Sequence, residues 1–95
     1  MQNSKNSCMK YRSRTDIVSQ ILESANGGCT KTKIMYSAYL SYAQLREYLS
    51  MLAENGLIEY EEGERKYRTT EKGFQFLHAY HAMDQIAGSL TITEQ

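Results

Sequence analysis

The sequence predicts a mainly α-helical fold with one small β-hairpin, and three observations support this prediction. Apolar side chains recur at intervals of three and four residues in four segments, which is the spacing of a buried stripe on a helix. Two short runs, 57–60 and 65–69, flank the turn sequence EEGE and resemble the strands of a hairpin. The chain has 95 residues and no proline, and this length suits one domain with a thin core.

The first helix is predicted to run from Ser13 to Asn26. Ser13 and Asp16 stand three residues apart, as in a capping box, with Asp in the position of the more usual Glu. Gly27 and Gly28 end the helix. The predicted buried stripe consists of Ile17, Val18, Ile21, Leu22 and Ala25.

Residues 1–12 are polar and show no periodicity, so we expect a flexible arm. Two interpretations of this arm remain open. It is either an untethered terminus or a basic arm that contacts phosphates through Lys5, Lys10 and Arg12.

A second helix begins at Thr30 or Lys31 and carries Lys31, Thr32 and Lys33 in its first turn. Cations are unfavourable there because the helix dipole prefers acids at its N-terminus. They become favourable if a phosphate binds at the same place, since backbone N–H groups and ammonium groups can share it. A solvated lysine pair is the alternative. Tyr36, near the end of this helix, is a further candidate for phosphate contact.

The central helix, predicted over 41–55, organises the rest of the chain. Leu45, Leu49 and Leu52 form its buried stripe, Ser41 is a candidate N-cap, and Asn55-Gly56 ends it. A helix, a tight link and a second amphipathic helix make a helix-turn-helix. The face opposite the leucines has no core to meet, which suits a helix that reads the major groove of DNA.

Four side chains on this helix are candidates for DNA contact. Gln44 could bond adenine, Arg46 could take guanine or a phosphate, and Glu47 could accept from cytosine. Solvation or an ion pair is the alternative for Glu47. Tyr42 offers its phenol to a phosphate or packs over the turn.

The hairpin contributes three cations, Arg65, Lys66 and Arg68. Alternation along the strand places Lys66 and Arg68 on one face, and Gly63 is expected to supply the positive φ of the turn. Phosphate contact and pairing with hairpin glutamates are both open for these cations.

The last helix is predicted from residue 71 to about residue 89, with Phe74 and Leu77 closing the core. A second apolar seam follows heptad spacing on the other side. One domain cannot bury both faces, so a homodimer joined through this helix is expected. The predicted dimer interface consists of Phe76, Tyr80, Met83, Ala87 and Leu90.

Composition excludes several classes of function. Lysine and arginine number 11, as do aspartate and glutamate, but most of the basic residues lie in the first half of the chain and most of the acids in the second. No apolar run reaches the ~18 residues of a membrane span, so a cytoplasmic, nucleoid-associated protein without membrane contact is expected. We find no catalytic constellation, no cofactor motif and no set of metal ligands, and we predict no enzyme, cofactor or metal.

Several strings resemble those of small archaeal winged-helix DNA-binding proteins, namely IMY at 34–36, LSY at 40–42, the YL…L…GLI frame at 48–58 and T-x-K-G at 70–73. That family includes crenarchaeal chromatin-type proteins that dimerise through an antiparallel C-terminal coiled coil. We therefore expect a flexible arm at 1–12, a winged helix-turn-helix at 13–70, a dimerisation helix at 71–90 and a tail at 91–95. The resemblance covers about residues 13–80, and it implies that Ser41 to Tyr48 form the major-groove element and that the hairpin 60–67 is the wing. It also implies binding to double-stranded DNA as a homodimeric transcription regulator.

The acidic hairpin and the short seam depart from the pattern of that family. Two alternative functions therefore stay open. One is a winged helix used for protein contact, and the other is an architectural protein that coats DNA.

Overall fold

The computed structural model describes residues 12–94, and side chains as far as residue 86. This part of the chain forms four helices and one hairpin in the predicted order, which confirms the fold class. Within it, no helix is both long enough and apolar enough to cross a lipid bilayer. The elements are α1 (Arg14–Ser24), α2 (Lys31–Ser37), α3 (Tyr42–Glu54), β1 (Ile58–Glu61), β2 (Lys66–Thr69) and α4 (Glu71–Glu94).

One core joins all of these elements. The predicted stripes of α1 and α3 enter it, and Ile58 of β1 and Leu77 of α4 close it. Burying a large aliphatic side chain stabilises the fold by about 1.5–3 kcal/mol. The buried leucines of α3 therefore fix this helix against the core. The largest fully buried side chains are Ile21, Leu22, Ile34, Leu45, Leu52 and Ile58.

Side-chain caps fix where the first three helices begin. Ser13 Oγ accepts from the Asp16 N–H at 3.1 Å, and Asp16 Oδ2 accepts from the Ser13 N–H at 3.0 Å, which confirms the predicted capping box. Thr30 Oγ1 accepts from the Lys33 N–H at 3.3 Å and opens α2. Ser41 is the N-cap of α3, as predicted.

The hairpin is antiparallel, with Ile58 opposite Thr69 and Tyr60 opposite Tyr67. Cys29, in the link between α1 and α2, exchanges two backbone hydrogen bonds with Tyr67, at 2.9 and 2.8 Å. This bridge attaches the start of α2 to the hairpin. Cys29 itself is buried, as expected of a small core residue.

The turn of the hairpin corrects one prediction. Arg65, with φ of 56°, takes the left-handed conformation, and Gly63 is not among the residues with positive φ. The register pairs Glu61 with Lys66, so the loop spans 62–65. Its last residue makes the turn back into β2. The positive φ of the turn therefore falls on Arg65, the last residue of the loop, and not on Gly63.

The buried face of α4 corrects a second prediction. Phe74 is 41% exposed, whereas Phe76 packs against the core beside the buried Leu77. Gly73 explains this choice of face, because a Cβ at Gly73 would overlap the carbonyl oxygen of Leu57. The helix approaches the Leu57 carbonyl at Gly73, and Phe74, 100° further round, faces outward.

The start of α4 is bonded to the short link between α3 and β1. The Thr70 hydroxyl donates to the Gly56 carbonyl at 2.6 Å, and the Thr70 N–H donates to the Leu57 carbonyl at 3.1 Å. Lys72 Nζ donates to the carbonyl of Asn55, the C-cap of α3, at 2.9 Å. The T-x-K-G string at 70–73 therefore attaches α4 to the end of α3.

Arg12 is not a free phosphate ligand, which corrects the interpretation of the basic arm at this position. Its guanidinium donates to the Gln20 side chain and to the carbonyl groups of Ala38 and Tyr39. It thereby joins α1 to the end of α2. Lys5 and Lys10 lie outside the described residues.

Candidate nucleic-acid interface

The outer face of α3 is open to solvent along its length. Its leucines are buried, with Leu45 and Leu52 at 0% exposure and Leu49 at 4%. The helix is therefore held rigidly from behind, and none of the described elements covers its other side. The exposed residues of that side are Ala43, Gln44, Arg46, Glu47, Ser50 and Glu54.

Gln44 is engaged in the cap of α3. Gln44 Oε1 accepts from the Ser41 N–H at 3.0 Å, and the Gln44 N–H donates to Ser41 Oγ at 3.2 Å. A bidentate contact with adenine needs both the oxygen and the nitrogen of the amide. Direct reading of adenine by Gln44 would therefore require this capping box to open.

Two cations meet at the Tyr42 ring. Lys31 Nζ lies 5.2 Å from the ring centroid and comes from α2. Arg46 Cζ lies 5.9 Å from the same centroid and comes from the next turn of α3. Cations within about 6 Å of an aromatic face are attracted by its quadrupole. Lys31, Tyr42 and Arg46 are hereafter called the Tyr42 cluster.

The other α2 candidates flank this cluster in the chain. Thr32 and Lys33 are exposed, and Tyr36 is 70% exposed. Tyr39, in the turn between α2 and α3, is 65% exposed and was not among the predicted site residues. The spacing of three residues between Tyr36, Tyr39 and Tyr42 was the signal that could have identified it.

Two grooves run beside α3 and differ in charge. The groove toward the hairpin has no acidic residue in its lining. The groove on the other side carries two glutamates, so positive charge is concentrated on the hairpin side of α3. The first groove is lined by Lys31, Arg46, Leu49, Ser50, Ala53, Tyr60 and Tyr67. The second is lined by Ala43, Arg46, Glu47, Ser50, Met51 and Glu54.

The cations of the hairpin are paired with its own acids. Arg68 Nη2 lies 2.9 Å from Glu61 Oε1, and Lys66 Nζ lies 3.9 Å from Glu64 Oε1. The hydrogen bond that Arg68 donates to Glu61 raises the pKa of Arg68. Lys66 and Arg68 both lie beside Gly28, which confirms that they share one face of the strand. Arg65, at the turn, is exposed.

The outer part of α4 forms a second exposed surface. Met83 is 69% exposed and Ile86 61% exposed. Ile86 was missed because it lies off the heptad seam, although its spacing of three from Met83 was a signal. Phe76 is half-buried in the monomer, and Tyr80 donates its hydroxyl to Asp16 Oδ1. The side chains of Ala87 and Leu90 lie outside the described ones.

The Tyr80–Asp16 contact changes the titration of both groups. The Tyr80 hydroxyl, and then the Ser13 N–H, lower the pKa of Asp16. The same hydrogen bond raises the pKa of Tyr80. Nearby, His81 Nε2 lies 2.7 Å from Glu23 Oε2 on α1. Among the described side chains, no three His, Cys, Asp or Glu residues converge as metal ligands would.

Comparison with known proteins places this geometry in a family. Residues 11–88 match the winged helix-turn-helix family. The chain belongs to this family. The winged-helix chain is 30% identical to an uncharacterised protein of Methanocaldococcus jannaschii over 91 residues, which are 94% of this chain and 92% of that protein.

The winged-helix fold also resembles the crystal structure of Sso10a-2, a DNA-binding protein from Sulfolobus solfataricus. The TM-score is 0.75 at 25% sequence identity, and the match covers 87% of this chain and 90% of that one. Both relatives are archaeal, which confirms the resemblance to archaeal winged-helix proteins. In winged-helix terms, α3 is the second helix of the helix-turn-helix and β1–β2 is the wing.

Proposed function

We propose that this winged-helix protein binds double-stranded DNA by inserting α3 into the major groove. The proposal rests on one observation about α3. Three buried leucines hold this helix against the core, and its opposite face is exposed to solvent. The major groove, about 12 Å wide, admits one α-helix. The likeness to a structure described as DNA-binding supports the proposal.

Contacts to phosphates would supply most of the affinity, and a few base contacts would supply the specificity. Lys31, Lys33 and Arg46 are the proposed phosphate ligands, with Thr32 and Tyr36 as further polar contacts near the start and end of α2. Glu47 and Ser50 face the bases. We assign Ser41 and Gln44 to the positioning of α3 rather than to base recognition, because both are engaged in the cap of this helix.

Binding of a labelled duplex of about 25 base pairs tests this function, with fluorescence anisotropy as the readout. Because phosphate contacts release counterions, log K should fall linearly with log salt, with a slope near −0.9 per contact. Ser50→Glu places a carboxylate on the exposed face of α3 and should weaken binding at least about tenfold. Gln75→Glu, which adds the same charge to the exposed side of α4, is the matched control. Failure of the wild-type protein to bind in low salt would refute the function.

We further propose a homodimer that regulates transcription. Met83 and Ile86 leave an apolar surface on the outer part of α4, beside a groove that Phe76, Ala79 and Tyr80 help to line. A second copy offers the same surface, so the contact can close on itself. Two α3 helices in successive major grooves would then lie roughly 34–36 Å apart. Selective recovery of promoter fragments from genomic DNA would support regulation.

The wing favours a second candidate, a winged helix that contacts another protein. Two of its three cations, Lys66 and Arg68, are paired with glutamates of the wing, while Glu59 and Glu62 stay exposed. A wing of this charge is repelled by phosphates. This candidate would be favoured if the wild-type protein does not bind DNA and the Ser50→Glu variant still binds a partner protein. The net charge of zero argues against an architectural protein that coats DNA without sequence preference.

A further inference from the structure

Tyr42 has an unusual position for a phosphate ligand. Its ring, 54% exposed, is approached by a cation from each of two helices, Lys31 at 5.2 Å and Arg46 at 5.9 Å. Neither cation forms an ion pair with a carboxylate among the described side chains. Two like charges are thus held together by an aromatic ring and left without a counterion from the protein.

We propose that the Tyr42 cluster is a phosphate-binding unit in which the Tyr42 ring, and not its hydroxyl, is the essential part. The inference rests on the proposed DNA binding and assigns roles within it. The ring restricts two long, flexible side chains that would otherwise have to be ordered when DNA binds. Ordering a long, flexible side chain on binding costs conformational entropy, so prior ordering increases affinity without adding a contact.

The same geometry assigns Arg46 to the DNA backbone. A guanidinium that reads guanine must extend into the groove with both nitrogens on the base edge. Arg46 instead lies over the Tyr42 ring. Its side chain lines both grooves beside α3, and in the groove on the hairpin side Lys31 is the other cation and no acid lines the wall. Phosphates carry the charge that such a pair of cations complements. Arg46 therefore contributes to affinity on every sequence and not to the choice of sequence.

Two substitutions at Tyr42 separate the ring from the hydroxyl. Tyr42→Phe keeps the ring, and the dissociation constant for a 25-base-pair duplex should stay within about twofold of wild type. Tyr42→Leu removes the ring and should raise that constant about three- to tenfold. Because Tyr42→Leu leaves all charges in place, the slope of log K against log salt should not change. Tyr39→Leu is the matched control, because Tyr39 is also an exposed tyrosine, at 65%, and none of the described cations lies over its ring.

Charge removal completes the test. Lys31→Gln and Arg46→Gln should each reduce the slope of log K against log salt by about one. Each should also weaken binding to several unrelated duplexes by the same factor. Circular dichroism of every variant confirms that the fold is kept, since all of these side chains are on the surface.

Any one of four results would overturn the inference. A loss of affinity in Tyr42→Phe equal to that in Tyr42→Leu would assign the contact to the hydroxyl. Unchanged affinity in Tyr42→Leu, with normal binding by the wild type, would remove the ring from the site but leave the proposed function standing. A change of preference at one base pair in Arg46→Gln would make Arg46 a base reader. Absence of binding by the wild type would refute both proposals.

Discussion

At the scale of single residues, two contacts decide how α4 sits on the domain. Gly73 lets the helix backbone approach the Leu57 carbonyl, and Tyr80 donates its hydroxyl to Asp16 on α1. The first contact selects the face of α4 that is buried. The Tyr80–Asp16 hydrogen bond attaches α4 to α1 beyond Leu77, the last core residue of α4 among the described side chains.

Gly73→Ala should destabilise the domain, because the new methyl group would overlap the Leu57 carbonyl oxygen and the Thr69 side chain. Overpacking of this kind costs about 1–3 kcal/mol, and the better helix propensity of alanine recovers up to about 1 kcal/mol. Urea unfolding measures the net loss. Gly63→Ala is the control, since a Cβ there meets nothing within 4 Å. Equal stability of the two variants would contradict the close approach.

The Asp16–Tyr80 contact should make part of the stability depend on pH. The folded pKa of Asp16 lies below its usual value of 3.8, first because of the Tyr80 hydroxyl. The contribution is therefore complete above the unfolded pKa and is lost as pH falls through the folded pKa. Tyr80→Phe should lower the free energy of unfolding by roughly 0.5–1.5 kcal/mol at pH 7. The difference from wild type should shrink at pH 3, and a constant difference would refute this linkage.

At the scale of elements, the sequence predicted what depends on local pattern. The caps Ser13 and Ser41 and the end of α3 at Asn55-Gly56 follow from spacing alone, because their partners lie within four residues. The candidate site was found in the same way, since the leucine stripe of α3 defines which of its side chains face outward.

What the sequence could not supply depends on contacts between distant parts of the chain. Arg12 bonds to carbonyl groups 26 and 27 residues away. Lys31 and Arg46 come to the same Tyr42 ring from two different helices. The choice between Phe74 and Phe76 needed the approach at Gly73, since both lie on plausible helical stripes. The strained residue of the wing, Arg65, followed from the strand register rather than from composition.

The ion pairs of the wing lead to a prediction about its role. Arg68→Gln combined with Glu61→Gln removes the ion pair without changing the net charge, and the dissociation constant for DNA should change by less than about twofold if neither side chain contacts a phosphate. The same anisotropy titration provides the measurement. Weakening comparable to that of Lys31→Gln would place the wing on DNA.

At the scale of the whole molecule, the question is what covers the outer part of α4. Met83→Glu places a charge in the exposed apolar patch with Ile86 and should convert a dimer into monomers, as measured by light scattering across a concentration series. Gln85→Glu, about 200° away on the same helix, is the control. A dimer that survives Met83→Glu would show that the subunits meet elsewhere.

The central claim concerns one surface, the outer face of α3 with the Tyr42 cluster beside it. Chemical-shift mapping of the ¹⁵N-labelled protein during titration with duplex DNA tests this claim most directly. The account predicts the largest shifts at Lys31 and over residues 42–50, with small ones in the wing. Shifts centred on 59–64, with α3 unperturbed, would contradict it.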